Sequence, residues 1–323
     1  MKSISILVPE SAVMEAVADP RYAFTAANQF LQASGKEPLF EVQLVGQSRV
    51  VPFLDGIYSV STDKLITEVK KTDLIIIPAL FGDMKTAVEK NRKAIPWIVE
   101  QHDKGAEVAS LCVGAFLLAS TGLLNGKKCS THWAYYNEFR NMFPEVEIAD
   151  GRIITEEHRI YSSGGANSYW NLLLYLVEKY TSRDIAIQAS KYFAIDIDRD
   201  TQSPFTIFTG QKNHNDAEIR NAQEYIEGNY QEKITVDELL DLFPVSRRSF
   251  ERRFKKATNN TVVEYLQRVK VEAAKRSFET SRRNISEVMF DVGYTDTKAF
   301  RTVFKRITGL TPIEYRNKYN KNA

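Results

Sequence analysis

The sequence contains little of what several classes of protein depend on. Its 323 residues include only two cysteines, Cys112 and Cys129, and four histidines scattered along the chain. Two cysteines without paired spacing do not make a disulfide framework, and they indicate a reducing compartment such as the cytoplasm. The histidines lack the spacing of a metal site. We therefore expect no bound metal and no cofactor.

Long apolar runs are also absent. A membrane-spanning helix needs about 18 consecutive apolar residues, and no stretch of the sequence approaches that length. The first residues, MKSISILVPE, are too short for the core of a signal peptide, and no small-residue cleavage site follows. Hydrophobic residues make up 43% of the chain and charged residues 26%, as in globular domains. We expect a cytoplasmic protein with no membrane partner and room for two domains.

The stretch from Ile285 to Arg316 predicts two helices separated by a tight turn. Apolar residues at helical spacing mark one face of the first helix. Gly293 ends it, because glycine takes a positive φ without steric cost. The second helix buries Phe300 and Phe304, shows basic residues to solvent and ends at Gly309. This pattern is typical of a helix-turn-helix, whose second helix enters the major groove of DNA.

The same pattern occurs twice. A shift of 50 residues lays SFERRFKKATNNT over AFRTVFKRITGLT, so that aromatic, basic and threonine positions coincide. Such a repeat indicates two copies of one structural unit. The segment between them, Val262 to about Thr280, predicts a helix that spans roughly 27 Å. The two recognition helices are then about one DNA turn, near 34 Å, apart, and one chain reaches two successive major grooves.

Charge is distributed unevenly along the chain. The net charge is only +2, yet residues 244–323 carry 19 Lys and Arg against 8 Asp and Glu, and residues 1–243 carry 24 against 33. A basic excess on two helix-turn-helix motifs indicates a surface that binds DNA phosphates. We therefore predict double-stranded DNA as a partner.

From about Asn221 to Tyr319 the sequence resembles the DNA-binding domain of the AraC/XylS family. The resemblance rests on VSRRSFERRFKK, EYLQRVKVEAAKR, ISEVMFDVGYTD and FKRITGLTPIEYR. At a few positions the chain departs from the small residues, glycine or proline that are usual in the family. The departures are Leu240, Pro244, Asn259, Asn260, Val262 and Met289. They concern the packing of the helices rather than the fold.

Periodicity and this resemblance predict recognition helices over Ser246 to Lys256 and about Asp296 to Ile307. The first leaves five polar residues on its outer faces: Arg247, Arg248, Glu251, Arg252 and Lys255. The resemblance implies base contacts by Arg248, Glu251 and Arg252, and by Thr297, Lys298, Arg301 and Thr302. Phosphate contacts are expected from Lys255, Lys305 and Arg306. Glu251 has a second interpretation, an ion pair with Arg247 or Lys255 one helical turn away.

Before residue 200 the sequence alternates strand-like and helix-like segments. Leu74 to Pro78 is apolar, as a buried parallel strand should be, and Ser130 to Met142 predicts a helix. This pattern predicts an α/β fold, an open and mostly parallel sheet flanked by helices (flavodoxin-like), followed by an all-α domain with two helix-turn-helix motifs. We place the first domain at residues 1–208, a linker at 209–216 and the DNA-binding domain at 217–323.

Cys112 is predicted to lie at a strand-to-helix turn, followed by Gly114. A tight turn of this kind lifts a nucleophilic side chain above the sheet. The helix N-terminus favours the thiolate, so we expect the pKa of the thiol to be lowered. His132 and Glu15 are expected to meet Cys112 at the C-terminal edge of the sheet, where ligands bind in such folds.

Residues 3–180 resemble the ThiJ/PfpI group of the class I glutamine-amidotransferase-like superfamily, through VMEAV and SLCVGAFLLASTGLLNGKKCSTHW. The resemblance implies that Glu15, Cys112 and His132 line a ligand pocket. After the strand DLIIIP, the superfamily often has Gly-Gly, whose amides help to form an oxyanion hole, but this chain has Pro78 to Gly82, PALFG. Loss of one oxyanion donor costs about 10²–10³ in rate, so we predict binding without catalysis.

The whole chain resembles regulators that join an amidase-like sensor domain to an AraC-type DNA-binding domain. The resemblance implies a transcriptional regulator that is not an enzyme, has no catalytic residues, responds to an unknown small-molecule effector and forms a homodimer. Two alternatives stand beside it. One is a cysteine hydrolase or amidase tethered to DNA, and the other is a redox sensor that acts through oxidation of Cys112.

Overall fold

Apolar, β-branched runs form the strands of the N-terminal unit, because such residues pack on both faces of a buried sheet. The computed structural model describes residues 1–243 and 245–320, and Met1–Gln202 make up this unit. The main sheet contains β1 (Lys2–Val8), β2 (Phe40–Gly46), β5 (Lys64–Leu65), β6 (Leu74–Ile77), β7 (Glu107–Ser110), β10 (Ile154–Glu157) and β11 (Ile160–Ser163). Two short pairs are separate, β3 (Val50–Phe53) with β4 (Tyr58–Ser61), and β8 (Lys128–Cys129) with β9 (Glu147–Ile148).

The strand order of the main sheet is β10-β11-β7-β6-β1-β2-β5. Neighbouring strands pair in parallel, except that β10 is antiparallel to β11. The predicted open, mostly parallel sheet is therefore confirmed. Every residue of β6 is fully buried, which shows that both faces of the sheet are covered.

Helices supply that cover. They are α1 (Met14–Ala33), α2 (Met84–Lys90), α3 (Ala94–Asp103), α4 (Ala115–Ala119), α5 (Tyr136–Met142), α6 (Tyr169–Tyr180) and α7 (Arg183–Phe193). α1, α6 and α7 pack on one another as one layer. The hairpin of β3 and β4 was not predicted from the sequence, and it carries exposed apolar side chains such as Ile57.

One helix prediction in this unit was too long. The helix expected from Ser130 begins only at Tyr136. The Ser130 amide donates to Ser162 Oγ at 2.8 Å, and Thr131 Oγ1 donates to the Cys112 carbonyl at 3.2 Å. These two bonds hold the segment in an extended conformation against the sheet, so the helix starts after it.

The C-terminal unit, Ser203–Ala323, is helical. Its helices are α8 (Ala217–Gly228), α9 (Val236–Leu242), α10 (Arg247–Thr258), α11 (Val262–Thr280), α12 (Ile285–Asp291), α13 (Thr297–Thr308) and α14 (Pro312–Tyr319). α9 with α10 and α12 with α13 form the two predicted helix-turn-helix motifs, and α11 joins them. Pro244 and residues 321–323, which the predictions included, lie outside the described residues.

The repeat seen in the sequence extends to hydrogen bonds. Thr258 Oγ1 donates to the Phe254 carbonyl at 2.8 Å, and fifty residues later Thr308 Oγ1 donates to the Phe304 carbonyl at 2.9 Å. After each recognition helix a threonine and a glutamate form a capping box that starts the next helix. The departure at Asn259 fits this repeat, because its φ of 55° corresponds to the left-handed conformation of the glycine that ends α13.

The division between the units falls after Gln202, six residues before the predicted end of the first domain. Residues 203–208 bond to the C-terminal unit instead. Lys275 Nζ donates to the Thr206 carbonyl at 2.5 Å, and the Phe208 amide donates to Glu272 Oε2 at 3.1 Å. The predicted linker, residues 209–216, is also bonded to this unit by polar side chains of α8 and α10.

The C-terminal unit has two halves: α8 to α10 form the first and α12 to α14 the second, and α11 is shared. The two halves touch at the turn between α12 and α13. Gly293 has a φ of 73°, and a Cβ added there would lie 2.0 Å from the Gln231 carbonyl oxygen. The buried Lys270 Nζ donates to the carbonyls of Glu232 and Gly293 at 3.3 and 3.2 Å. The glycine is thus required both by the turn and by this close approach.

Replacing Gly293 with alanine is expected to lower the free energy of unfolding of the C-terminal unit by about 2–4 kcal/mol. The positive φ and the collision with Gln231 both oppose a Cβ. Urea denaturation, followed by the helix signal in far-UV circular dichroism, measures the change in the free energy of unfolding. Gly228→Ala is the matched control, since its Cβ meets nothing within 4 Å, and it should change stability by less than about 1 kcal/mol. Equal effects of the two substitutions would contradict the prediction.

Candidate ligand site and DNA-binding surface

Cys112 lies in the sharp turn between β7 and α4. Its φ is +53°, in the left-handed region that residues other than glycine seldom adopt. The turn packs closely on the end of β6, because a Cβ at Gly114 would lie 2.4 Å from the Pro78 carbonyl oxygen. Gly114 allows this approach, and the elbow geometry predicted from the sequence is present.

The thiol of Cys112 is held in its neutral form. The residue is only 5% exposed, and burial raises the pKa of the thiol to about 12, against a smaller opposing effect of the Val113 amide. The prediction of a lowered pKa was therefore wrong. The helix that follows is only 5 residues long, and the loss of solvation of a charged sulfur outweighs its dipole.

The backbone of Cys112 connects the elbow to its neighbours. Its amide donates to Ser163 Oγ at 3.3 Å, and its carbonyl accepts from Thr131 Oγ1 at 3.2 Å. Ser163 belongs to β11, and Thr131 immediately precedes His132 in the chain. The elbow is thus fixed to the adjacent strand and to the segment that carries the predicted histidine.

His132 and Glu15 do not form a hydrogen-bonded triad with Cys112. His132 Nδ1 accepts from the Ala134 amide at 3.1 Å, and burial lowers the pKa of the imidazole. The neutral ring therefore carries its hydrogen on Nε2. Glu15 is exposed in the first turn of α1. Within residues 1–243 and 245–320, no hydrogen bond joins either side chain to the thiol.

Tyr169, which the sequence analysis missed, joins the start of α6 to Asp19 of α1. Its hydroxyl donates to Asp19 Oδ2 at 2.7 Å, and Trp170 Nε1 donates to the same oxygen at 2.9 Å. Burial raises the pKa of Tyr169, with further contributions from Asp19, Glu15 and Cys112. The phenol is thus bonded to α1, the helix that carries Glu15 in its first turn. Its signal in the sequence was the aromatic pair at the start of α6.

Gln202, also missed, holds the segment that carries His132. Its Nε2 donates to the Thr131 carbonyl at 3.0 Å, and its Oε1 accepts from the Trp133 amide at 3.2 Å. A Cβ at Gly164 would lie 2.1 Å from Gln202 Nε2. Only glycine at position 164 leaves room for the amide of Gln202.

The loop after β6, where an oxyanion hole was considered, is bonded to the start of the chain. The Phe81 amide donates to the Ser11 carbonyl at 2.6 Å, and the Val13 amide donates to the Ala79 carbonyl at 2.8 Å. The Phe81 amide is thus engaged inside the protein. Among the described residues, no three or more His, Cys, Asp or Glu side chains are placed to hold a metal ion.

All residues predicted to contact DNA lie on exposed positions of α10 and α13. They are Arg247, Arg248, Glu251, Arg252, Lys255, Thr297, Lys298, Arg301, Thr302, Lys305 and Arg306. The opposite side of each helix is anchored by two fully buried phenylalanines, Phe250 with Phe254 and Phe300 with Phe304. This anchoring fixes which face of each recognition helix points outward.

Partners within the protein divide these residues into two groups. Arg247 pairs with Asp237 at 2.9 Å and with Glu251 at 3.2 Å, which matches the ion-pair interpretation of Glu251. Lys255 contacts Glu264 at 3.4 Å, and Arg306 bonds to a glutamine of α11. Seven side chains form no hydrogen bond or ion pair with any described residue: those of Arg248, Arg252, Thr297, Lys298, Arg301, Thr302 and Lys305. These side chains are available for an external partner.

Two family models match the chain. The DJ-1/PfpI family model matches residues 17–179. The chain belongs to the DJ-1/PfpI family. A helix-turn-helix domain model matches residues 239–318. The DJ-1/PfpI domain thus lies in the first structural unit, and the helix-turn-helix domain lies in the second.

Several curated relatives are similar to this DJ-1/PfpI-family chain. The HTH-type transcriptional regulator GbdR of Pseudomonas aeruginosa is 24% identical over 319 residues, which are 98% of this chain and 84% of GbdR. The HTH-type transcriptional regulator ArgR of the same species is 25% identical over 66% of this chain and 65% of its own length. The bifunctional transcriptional activator/DNA repair enzyme AdaA of Bacillus subtilis is 39% identical over 29% of this chain and 44% of its own length.

Solved structures share the fold of the DJ-1/PfpI domain. A putative transcriptional regulator from Vibrio parahaemolyticus is 23% identical with a TM-score of 0.53, and it covers 59% of this chain and 98% of its own. An AraC family transcriptional regulator from Pseudomonas putida is 17% identical with a TM-score of 0.51, covering 60% of this chain and all of its own. Across the described residues, no helix is long and apolar enough to span a membrane.

Cys112 is expected to resist alkylation in the folded protein. A thiol of pKa about 12 is thiolate in only roughly one part in 10⁴–10⁵ between pH 7 and 8. Iodoacetamide treatment followed by mass spectrometry of peptides measures the modified fraction. Cys129, which is buried with a similarly raised pKa, is the internal reference. Both should react only when urea unfolds the chain, and rapid labelling of folded Cys112 alone would contradict the neutral thiol.

Proposed function

We propose that this DJ-1/PfpI-family protein is a cytoplasmic transcriptional regulator that binds a specific DNA operator through both helix-turn-helix motifs. The observation that carries the proposal is the duplicated motif, with matching internal hydrogen bonds and an exposed basic recognition helix in each copy. The names of the relatives, HTH-type transcriptional regulators, support it. The charge excess of residues 244–323 supports contact with phosphates.

The N-terminal unit is, in this proposal, a sensor for a small-molecule effector rather than an enzyme. The raised pKa of the buried thiol, the absence of a hydrogen bond from His132 to it among the described residues, and the engaged Phe81 amide argue against nucleophilic catalysis. In this proposal the Cys112 thiol, the His132 imidazole and the Tyr169 hydroxyl are the groups that hydrogen-bond to a ligand. An effector changes DNA affinity only if it binds two states of the protein differently. A usual coupling of about 1–3 kcal/mol changes that affinity roughly 5- to 150-fold.

The neutral thiol also weakens the two alternatives kept open above. A hydrolase and a redox sensor both need a reactive thiolate at position 112. Burial opposes that ionisation. We therefore propose that Cys112 contributes shape and polarisability to the pocket.

Selection of bound duplexes from random DNA is expected to return two conserved boxes about one helical turn apart. Arg252→Ala should weaken binding by about 1–3 kcal/mol and relax one base position, because its free guanidinium points outward. Lys305→Ala, the control for loss of one charge, should weaken all sequences alike. Identical sequence preferences of the two variants would contradict the assignment of Arg252 to a base contact and Lys305 to a phosphate contact.

The same selection tests whether the protein acts as a homodimer, which we also propose. If two copies of the protein bind one operator, the selected duplexes should contain the two-box site twice. If a single copy binds, they should contain it once. Exposed apolar side chains on the β3–β4 hairpin support a surface for self-association, since Ile57 is 74% exposed and Leu54 53%. Failure to enrich any sequence would contradict the proposed function itself.

An effector found in a metabolite library is expected to raise the melting temperature of the full-length protein, because it binds the folded state. Cys112→Ala should reduce the shift, since it removes a side chain at the proposed pocket. Cys129→Ala is the matched control, a second fully buried cysteine of the same unit, and should keep the shift. Equal shifts in both variants would place the effector elsewhere.

A further inference from the structure

Residues 203–212, which we call the strap, contact both helix-turn-helix halves. At the second half, Tyr319 Oη donates to the Pro204 carbonyl at 3.1 Å. The ammonium group of Lys318 lies 4.7 Å from the centre of the Phe205 ring. The first residues of the strap also lie against the recognition helix α13. The strap therefore begins on the second half of the DNA-binding unit.

A buried ion pair of α11 holds the middle of the strap. Lys275 Nζ lies 2.7 Å from Glu272 Oε2, and the side chains are 5% and 11% exposed. Taking two charges out of water is costly unless further hydrogen bonds satisfy them. The strap supplies these bonds, because Lys275 donates to the Thr206 carbonyl and Glu272 accepts from the Phe208 amide. Without the strap, the pair would lack two of its partners.

The far end of the strap fits against the first half. Gly210 has a φ of 72°, and a Cβ there would lie 2.5 Å from Tyr265 Oη. Gln223 Nε2 donates to the Gln211 carbonyl at 2.9 Å. Lys212 pairs with Glu227 of α8 at 2.7 Å. These contacts fix the strap to the core that supports α10.

We propose that the strap, held by Glu272 and Lys275, positions the two recognition helices and so sets the half-site spacing that the protein accepts. The halves have separate hydrophobic cores. Besides α11, contacts around Lys270, the packing of Tyr230 on the second core, and the strap connect the two halves. A helix of 19 residues spans about 28 Å, and long helices curve, so a second connection restrains it. The inference rests on the proposed function as a DNA-binding regulator.

A purely stabilising role for the ion pair makes a different prediction. Loss of stability would reduce binding to every operator by the same factor, whatever the distance between its boxes. Loss of positioning would instead change the dependence on spacing and leave each single box bound as before. The dependence of affinity on spacer length therefore separates the two roles.

The test uses the full-length protein and duplexes that carry the two selected boxes. Adding or removing two base pairs between them moves the second box by about 7 Å and rotates it by roughly 70°. Fluorescence anisotropy at one fixed salt concentration gives the affinities, since salt changes them strongly. The affinity of the wild type should fall about tenfold or more, equivalent to about 1.4 kcal/mol, at either altered spacing. The E272Q/K275M variant leaves no unpaired buried charge. Its affinity should fall only about threefold or less when the spacing is altered.

Two further variants complete the test. Arg276→Met removes an exposed cation from the next position of α11 and should keep the wild-type spacing profile. Insertion of two glycines between Thr209 and Gly210 lengthens the strap without altering a core side chain, and it should flatten the profile as the double variant does. If the double variant no longer binds a single box, the insertion variant decides the question.

Spacing profiles like that of the wild type, in variants that still bind a single box, would overturn the role of the strap. That result is distinct from failure of the proposed function. In the latter case the wild-type protein itself would select no DNA sequence, so no spacing could be tested.

Discussion

Both halves of the DNA-binding unit depend on one shared helix, α11. It contributes Val262 and Tyr265 to the core of the first half, and Val271, Ala274 and Phe278 to the core of the second. Segments of about 50 residues bury a small share of their surface on folding and are therefore only marginally stable alone. Sharing a helix lets each half complete its core, and it leaves α10 and α13 free to be strongly basic on their outer faces. The basic residues on the outer faces of α10 and α13 thus contribute little to stability, which comes from the two cores built on α11.

In the N-terminal unit, solvation decides the chemistry. Strand, turn and helix place Cys112 where related folds place a nucleophile, but the buried sulfur stays neutral. Gln202 holds the neighbouring His132 segment and is also the last residue of this unit. The next residue, Ser203, begins the strap. Gln202 and Ser203 therefore form the covalent connection between the proposed sensor unit and the DNA-binding unit.

Local patterns predicted most of the fold. The 50-residue repeat marked two recognition helices whose ends the structure reproduces within one or two residues. Long-range bonds account for the differences. Ser130 is extended because Ser162 binds its amide, and the pKa of Cys112 depends on neighbours from several elements. The aromatic pair that includes Tyr169 is visible in the sequence, but its partner Asp19 is 150 residues away, and only the packing of α6 brings the two together. Gln202 likewise reaches the His132 segment from the end of the unit.

The burial of both native cysteines has a practical consequence for spectroscopy. Cys112 and Cys129 are 5% and 0% exposed, so neither competes with a thiol introduced on the surface. Single cysteines placed on exposed positions of α10 and α13 can then carry spin labels or fluorophores in the otherwise native chain. The distance between the two recognition helices becomes a directly observable quantity, in solution and on DNA.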